Sequence, residues 1–181
     1  MARHIYGTSQ EDTITGGAGR DRIHAKGGDD TIHSGNSADR SYAQGGDDTV
    51  FGASGADTVR GGQGNDVLHG DAVQDRLYGG QGNDVIHGGD TGGSGSGTGG
   101  GGVDDRLWGG AGNDEMSGGT GNDRLYGGTG QDQMSGDVGA DRLFGADDDD
   151  TLGGGTGNDS LHGAQGDDRI DGNQGVDRLF G

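Results

Sequence analysis

The sequence predicts an all-β protein: a parallel β-solenoid of about nine coils, each with two short strands and two turns. Three observations predict it. From Gly7 the chain reads in nines, and the sixth place of the nine is Asp in all 18 units. The eighth place is Ile, Leu, Val or Met in 17 of the 18 units, the exception being Ser41. Consecutive units also differ systematically, so the full period is 18 residues.

In chain order, residues 1–6 form a lead-in and nine units run from Gly7 to His87. Residues 88–99 interrupt the register, and nine further units fill 100–181. Gly88–Gly102 holds ten Gly in fifteen residues and reads as a flexible loop open to proteolysis. It lacks the strand–loop–helix context of a phosphate cradle. The alternation of units resumes in phase after it, so the insert enlarges one turn of a single solenoid spanning 7–181.

Within a unit, six residues of Gly and Asp character form a turn, since Gly permits positive φ. Three residues then form a strand, of which only place eight points inward. Even-numbered units carry Arg at place seven and often an aromatic at nine, as in Arg76-Leu77-Tyr78, Arg106-Leu107-Trp108, Arg124-Leu125-Tyr126 and Arg142-Leu143-Phe144. Odd units read otherwise, as in Val67-Leu68-His69. Alternate units therefore build two opposed parallel sheets, and nine coils make a rod of roughly 43 Å.

Such a rod has a thin core. Leu, Ile, Val and Phe together number 25 of 181 residues, against a net charge of −19. That composition is the signature of a disordered chain, because too little apolar surface is buried to offset ordering the backbone at ~1–2 kcal/mol per residue. The acidity argues against nucleic acid or an anionic membrane as a partner. No apolar run approaches a membrane span or a signal region. Without cysteine there are no disulfides, and without proline collagen is excluded.

Stacked coils place the sixth-place Asp residues in two columns. One holds Asp12, Asp30, Asp48, Asp66, Asp84, Asp114, Asp132, Asp150 and Asp168; the other holds Asp21, Asp39, Asp57, Asp75, Asp105, Asp123, Asp141, Asp159 and Asp177. Only two of the 31 acids are Glu, Glu11 and Glu115, so the shorter carboxylate is selected for fixed geometry. Like charges this close repel unless a counter-ion separates them. Ca²⁺ suits the columns, with 6–8 oxygen ligands from carboxylates and carbonyls. Zinc lacks a Cys/His cluster, and magnesium retains its water shell.

Units such as GGQGNDVLH (61–69) and GGTGNDRLY (118–126) resemble the RTX, or haemolysin-type calcium-binding, nonapeptide. The resemblance implies a right-handed parallel β-roll with Ca²⁺ between the turns of successive coils. Each ion would take one oxygen from each sixth-place Asp plus carbonyls of both turns, so Asp66 would pair with Asp48 and Asp84, and Asp123 with Asp105 and Asp141. The complete GGxGxD turns assign glycines at places two and four to the sites: Gly17, Gly19, Gly62, Gly64, Gly80, Gly82, Gly110, Gly112, Gly119, Gly121, Gly128, Gly130, Gly155 and Gly157. At most sixteen inter-turn sites exist; filling all would turn −19 into +13, so about ten to fourteen ions are expected. Gln10, Ser37, Val73, Val103 and Asp148 replace Gly at place four, where a Cβ strains or distorts the carbonyl array. Unit 34–42, with Ser37 and Ser41, is expected to be a local defect.

The Arg and aromatic rows of the even units offer either stiffening by stacking or a docking face for an acidic polysaccharide, an attached domain or another roll. His69 and His87 are stacked neighbours and read as surface residues. Thr120, Thr129 and Thr156 resemble the turns of ice-binding members but form no continuous row. No nucleophile–base arrangement is present, so no enzyme is expected. The resemblance implies a secreted, extracellular bacterial module that folds on binding calcium. The series ends at Phe180-Gly181 without a capping element, which reads as a fragment or a self-associating rod.

Overall fold

The computed structural model describes residues 2–89 and 103–181. Among them there is no helix; nineteen strands, β1 (His4–Tyr6) to β19 (Arg178–Phe180), build two parallel sheets. The odd-numbered strands form a ten-stranded sheet and the even-numbered strands a nine-stranded one, each in chain order. The chain therefore crosses between sheets at every turn, giving a solenoid of about nine coils as expected. No helix is long and apolar enough to cross a membrane.

The register is that of the repeat. Arg106, Leu107 and Trp108 pair with Arg124, Leu125 and Tyr126 in the next coil. Across the insert, Leu77 pairs with Leu107 and Ile86 with Met116. Gly88 and Gly89 keep the geometry of places one and two. A Cβ on Gly88 would meet Asp105 Oδ2 as one on Gly70 would meet Asp75 Oδ2, and one on Gly89 would meet Asp71 O. The rest of the expected flexible loop lies outside the described residues.

Three-residue strands occur, but many are longer than expected. Strands such as Arg106–Ala111 and Arg124–Thr129 run on through places one to three of the following unit. Alternation then turns place one inward as well as place eight. Place one carries no side chain in most units, so its burial leaves no hydrophobic signal. Only Ala25, Ser34 and Ala43, all fully buried, reveal it.

The core is two facing files of side chains along the rod, one from each sheet, including Ile23, Leu77, Leu107, Leu125, Leu143 and Leu161 in one and Ile32, Leu68 and Ile86 in the other, each with no exposed surface. Ser41 continues the first file and is not a defect. Its hydroxyl lies 2.7 Å from that of Ser34, and both are buried. The strand Arg40–Gly45 around Ser41 pairs with both neighbours. A polar residue at place eight is tolerated because place one opposite it is polar too.

Ser37, Val73 and Asp148 adopt the left-handed φ of 90°, 77° and 77°. Of these Val73 is the most strained, its branched Cβ being the least tolerant of that region. The carbonyl array survives such substitutions. A Cβ on Gly166 would meet Asp148 O at 2.1 Å, the same distance that separates a Cβ on Gly82 from Gly64 O.

Replacing Ser41 with Ala strands the buried Ser34 hydroxyl, at a cost of about 1–3 kcal/mol. The calcium-saturated melting temperature is expected to fall by roughly 2–4 °C per kcal/mol. The double variant Ser34→Ala/Ser41→Val should recover most of the loss. A double variant no better than the single one would show that the hydroxyl pair is not what holds this coil.

Candidate metal centre

Each sixth-place Asp sits where its turn enters a strand, and its backbone N–H donates to Oδ1 of the Asp one coil on. Asp48 N–H donates to Asp66 Oδ1 at 2.9 Å, and Asp123 N–H to Asp141 Oδ1 at 2.7 Å. All sixteen such steps are made. The bonds from Asp75 to Asp105 and from Asp84 to Asp114 span the insert, both at 2.7 Å. One methylene lets the carboxylate reach the neighbouring N–H at the strand spacing, which explains why Asp and not Glu fills the place.

The second oxygen is left over. In fourteen of the eighteen Asp residues Oδ2 is buried without a hydrogen-bond partner. Burial pushes Asp75 up to about 9 and Asp141 to about 8, with neighbouring carboxylates adding to the effect. Burial likewise raises Asp48, Asp57, Asp84, Asp105 and Asp132 to about 7, and Asp66, Asp114, Asp123 and Asp150 to about 6.

Several of these oxygens share a small gap with a main-chain carbonyl. The point where a Cβ on Gly79 would stand lies 2.2 Å from Asp84 Oδ2 and 2.7 Å from the carbonyl of Gly109 in the next coil. Gly109 repeats this with Asp114 Oδ2 at 2.2 Å and Gly127 O at 2.8 Å, and Gly127 with Asp132 Oδ2 at 2.2 Å and Gly145 O at 2.8 Å. The fourteen glycines assigned from the sequence, Gly17 to Gly157, all adopt left-handed φ of 94–145°. They stack in register, Gly110 between Gly80 and Gly128. Among the described residues no three His, Asp or Glu side chains converge as a metal cluster. The donors are instead pairs of carboxylates with backbone carbonyls, an all-oxygen set that fits a hard dication.

Two sets of residues escaped the sequence reading. Place five carries a second ladder running the opposite way: Asn83 N–H donates to Asn65 Oδ1 at 2.9 Å, and Asn113 N–H to Asn83 Oδ1 at 2.7 Å. Asn and Asp recur there, as Asp47, Asn65, Asn83 and Asn113, which was the available signal. Arg3, in the lead-in, bonds to Asp21, and Thr8, within the first turn, bonds to Asp12.

The aromatic row is continuous. Tyr78, Trp108, Tyr126, Phe144, His162 and Phe180 stack at 4.4–5.5 Å and within 12° of parallel. Arg60 bridges Tyr42 and Tyr78, its guanidinium 5.5 Å and 4.8 Å from the two rings. The rings cover one another's faces along the rod, the arrangement expected of stiffening by stacking. His69 and His87 also stack, at 5.0 Å, in a row with Phe51.

Two stacked carboxylate columns in all-oxygen surroundings, on the edges of a parallel solenoid, define a β-roll that holds cations along its length. The chain belongs to the RTX calcium-binding nonapeptide repeat family. The family model, which spans four copies, matches residues 6–41, 42–75, 69–90, 99–134, 117–152, 126–161 and 153–181. No curated protein matches the chain. The repeats are calcium-binding, and their number provides for multiple Ca²⁺ ions.

The raised carboxyls set a pH dependence. Unfolded Asp titrates near 3.9, so without calcium the solenoid binds more protons than the unfolded chain between about pH 4 and 9. Its stability therefore rises as pH falls through that window and is lost as pH rises. Protons also compete with calcium for the same oxygens. In chelator, strand signal by circular dichroism should be greater at pH 5 than at pH 8. The calcium midpoint should be higher at pH 5.5 than at pH 8. More order at pH 8 than at pH 5 without calcium would contradict the burial of these groups.

Proposed function

We propose that this β-roll folds when calcium enters the two Asp columns, and that it serves outside the cell as a structural module of a secreted protein. The observation that carries the reading is the set of fourteen buried Oδ2 atoms without partners along a thin core. Bare carboxylates in that place oppose folding. Bound calcium supplies the positive charge the columns lack. The sixth-place Asp residues would hold it, Asp66 with Asp48 and Asp84, and Asp123 with Asp105 and Asp141, together with carbonyls of Gly62, Gly64, Gly80, Gly82 and their counterparts. Extracellular calcium modules bind with Kd of roughly 10⁻⁴–10⁻³ M, so low cytosolic calcium keeps such a chain unfolded and external calcium folds it. Circular dichroism at pH 7.5 is expected to show a disordered chain in EGTA and a strand spectrum in millimolar calcium. An unchanged strand spectrum in EGTA would defeat the coupling.

A second reading is favoured by one observation. Among the described residues the only ion pair is Arg3–Asp21, so Arg76, Arg106, Arg124 and Arg142 stand in register without carboxylate partners. Such a row suits an acidic polysaccharide lying along the rod, held by charge and not by ring stacking. Replacing Arg106, Arg124 and Arg142 with Gln should spare calcium-induced folding and weaken retention on a uronate polymer at least tenfold at low salt. Retention that is absent in the parent removes this reading.

A further inference from the structure

We propose that Arg3 is a tethered cation that occupies the first slot of one Asp column, so that this slot takes no calcium. The inference rests on the reading that the columns hold calcium. β1 pairs in register with the strand Arg22–His24, His4 opposite Arg22 and Ile5 opposite Ile23. His4, Ile5 and Tyr6 thus stand at places seven, eight and nine, and Arg3 stands at place six, one coil before Asp21. Its main chain makes the bonds that an Asp makes there. Arg3 N–H donates to Asp21 Oδ1 at 2.8 Å, and Arg22 N–H donates to Arg3 O at 2.8 Å.

The side chain differs. Nη2 of the guanidinium donates to Asp21 Oδ2 at 3.2 Å, and Nε lies 3.4 Å from Oδ1. Asp21 Oδ2 is the counterpart of the oxygens orphaned in Asp39, Asp57, Asp75, Asp123, Asp141 and Asp159 of the same column. The Asp21 side chain is fully buried, while that of Arg3 is half exposed and reaches in over the turn. Nη2 lies 3.0 Å from where a Cβ on Gly17 would stand.

The charge arithmetic follows from chemistry. Two stacked carboxylates need a dication, whereas a guanidinium and a carboxylate neutralise each other without one. The other column is closed differently at this end: Asp12 Oδ2 accepts Thr8 N–H at 2.6 Å and Thr8 Oγ1–H at 2.9 Å. Asp168, near the opposite end of that column, keeps its orphan oxygen. In both columns the carboxylate nearest Arg3 is thus satisfied by protein groups, while most of those beyond it keep an orphan oxygen.

Counting bound calcium by native mass spectrometry on the full chain tests the assignment. Arg3→Asp rebuilds a carboxylate pair with Asp21 and should bind one ion more than the parent. Arg20→Asp makes the same change of charge outside place six and should bind the parent number. An unchanged count in Arg3→Asp, or an equal gain in Arg20→Asp, overturns the proposal. A parent that binds no calcium overturns the column reading as well, so the two failures are distinguishable. Should Arg3→Asp not fold in saturating calcium, Arg3→Gln decides. Its calcium-saturated melting temperature should fall by about 2–4 °C, and Arg3→Lys should restore it. Equal melting of Arg3→Gln and the parent, or no rescue by Lys, overturns the role of the cation.

Discussion

The hydrogen bond from each sixth-place N–H to the next Asp Oδ1 is the interaction on which the rest of the structure depends. It sets the coil spacing at the turns, where the sheets alone would leave the chain free to splay. It also uses only one oxygen of each carboxylate. The other is thereby held in the wall of the turn, buried and unpaired. The same geometry that clamps coil to coil creates the charge that must be neutralised. Calcium demand is in this sense a by-product of the clamp, repeated along both edges.

Much of this was legible in the sequence because side-chain identity carried it. The eighth place is apolar since it alone reliably points inward with a side chain, and the alternation of Arg–Leu–aromatic with other triplets announced two sheets. What stayed hidden had no side-chain signal or needed a neighbour in space. Place one is buried but occupied by Gly, so the longer strands were invisible. Ser41 looked like a flaw because its partner Ser34 is seven residues away and meets it only across the coil. Arg3 lay outside the counted units, although His4-Ile5-Tyr6 continues the strand register. The aromatic row was visible, and stacking was one of its two readings; the ring spacings needed the structure.

The thin core bears on how such a chain can be stable. One apolar side chain per nine residues, with small residues at place one, cannot match a globular interior. Backbone bonds link successive coils along the described residues, yet each contributes only about 0.5–1.5 kcal/mol net. The remaining favourable terms are those repeated along the rod: stacked rings, the place-five ladder and ion binding at the carboxylates. Stability therefore grows by the coil, as nearest-neighbour interfaces accumulate.

In-register stacking also explains the composition. Each paired side chain lies a strand spacing from the same place in the next coil, often filled by its own kind, so residues that tolerate self-neighbours are favoured. Aromatic rings stack, Asn amides form ladders, and Gly lets carbonyls of adjacent turns approach. Asp is admissible when a cation lies between copies. Two Glu among 31 acids reflect this rule, because a longer carboxylate loses the fixed distance to the next N–H. Proline is absent because strand and sixth-place N–H groups are committed to a neighbouring coil. Arg at place seven is the costly exception, a like-charged row with no carboxylate partner among the described residues. Of all the repeated positions it is the one whose residue type the fold itself does not require.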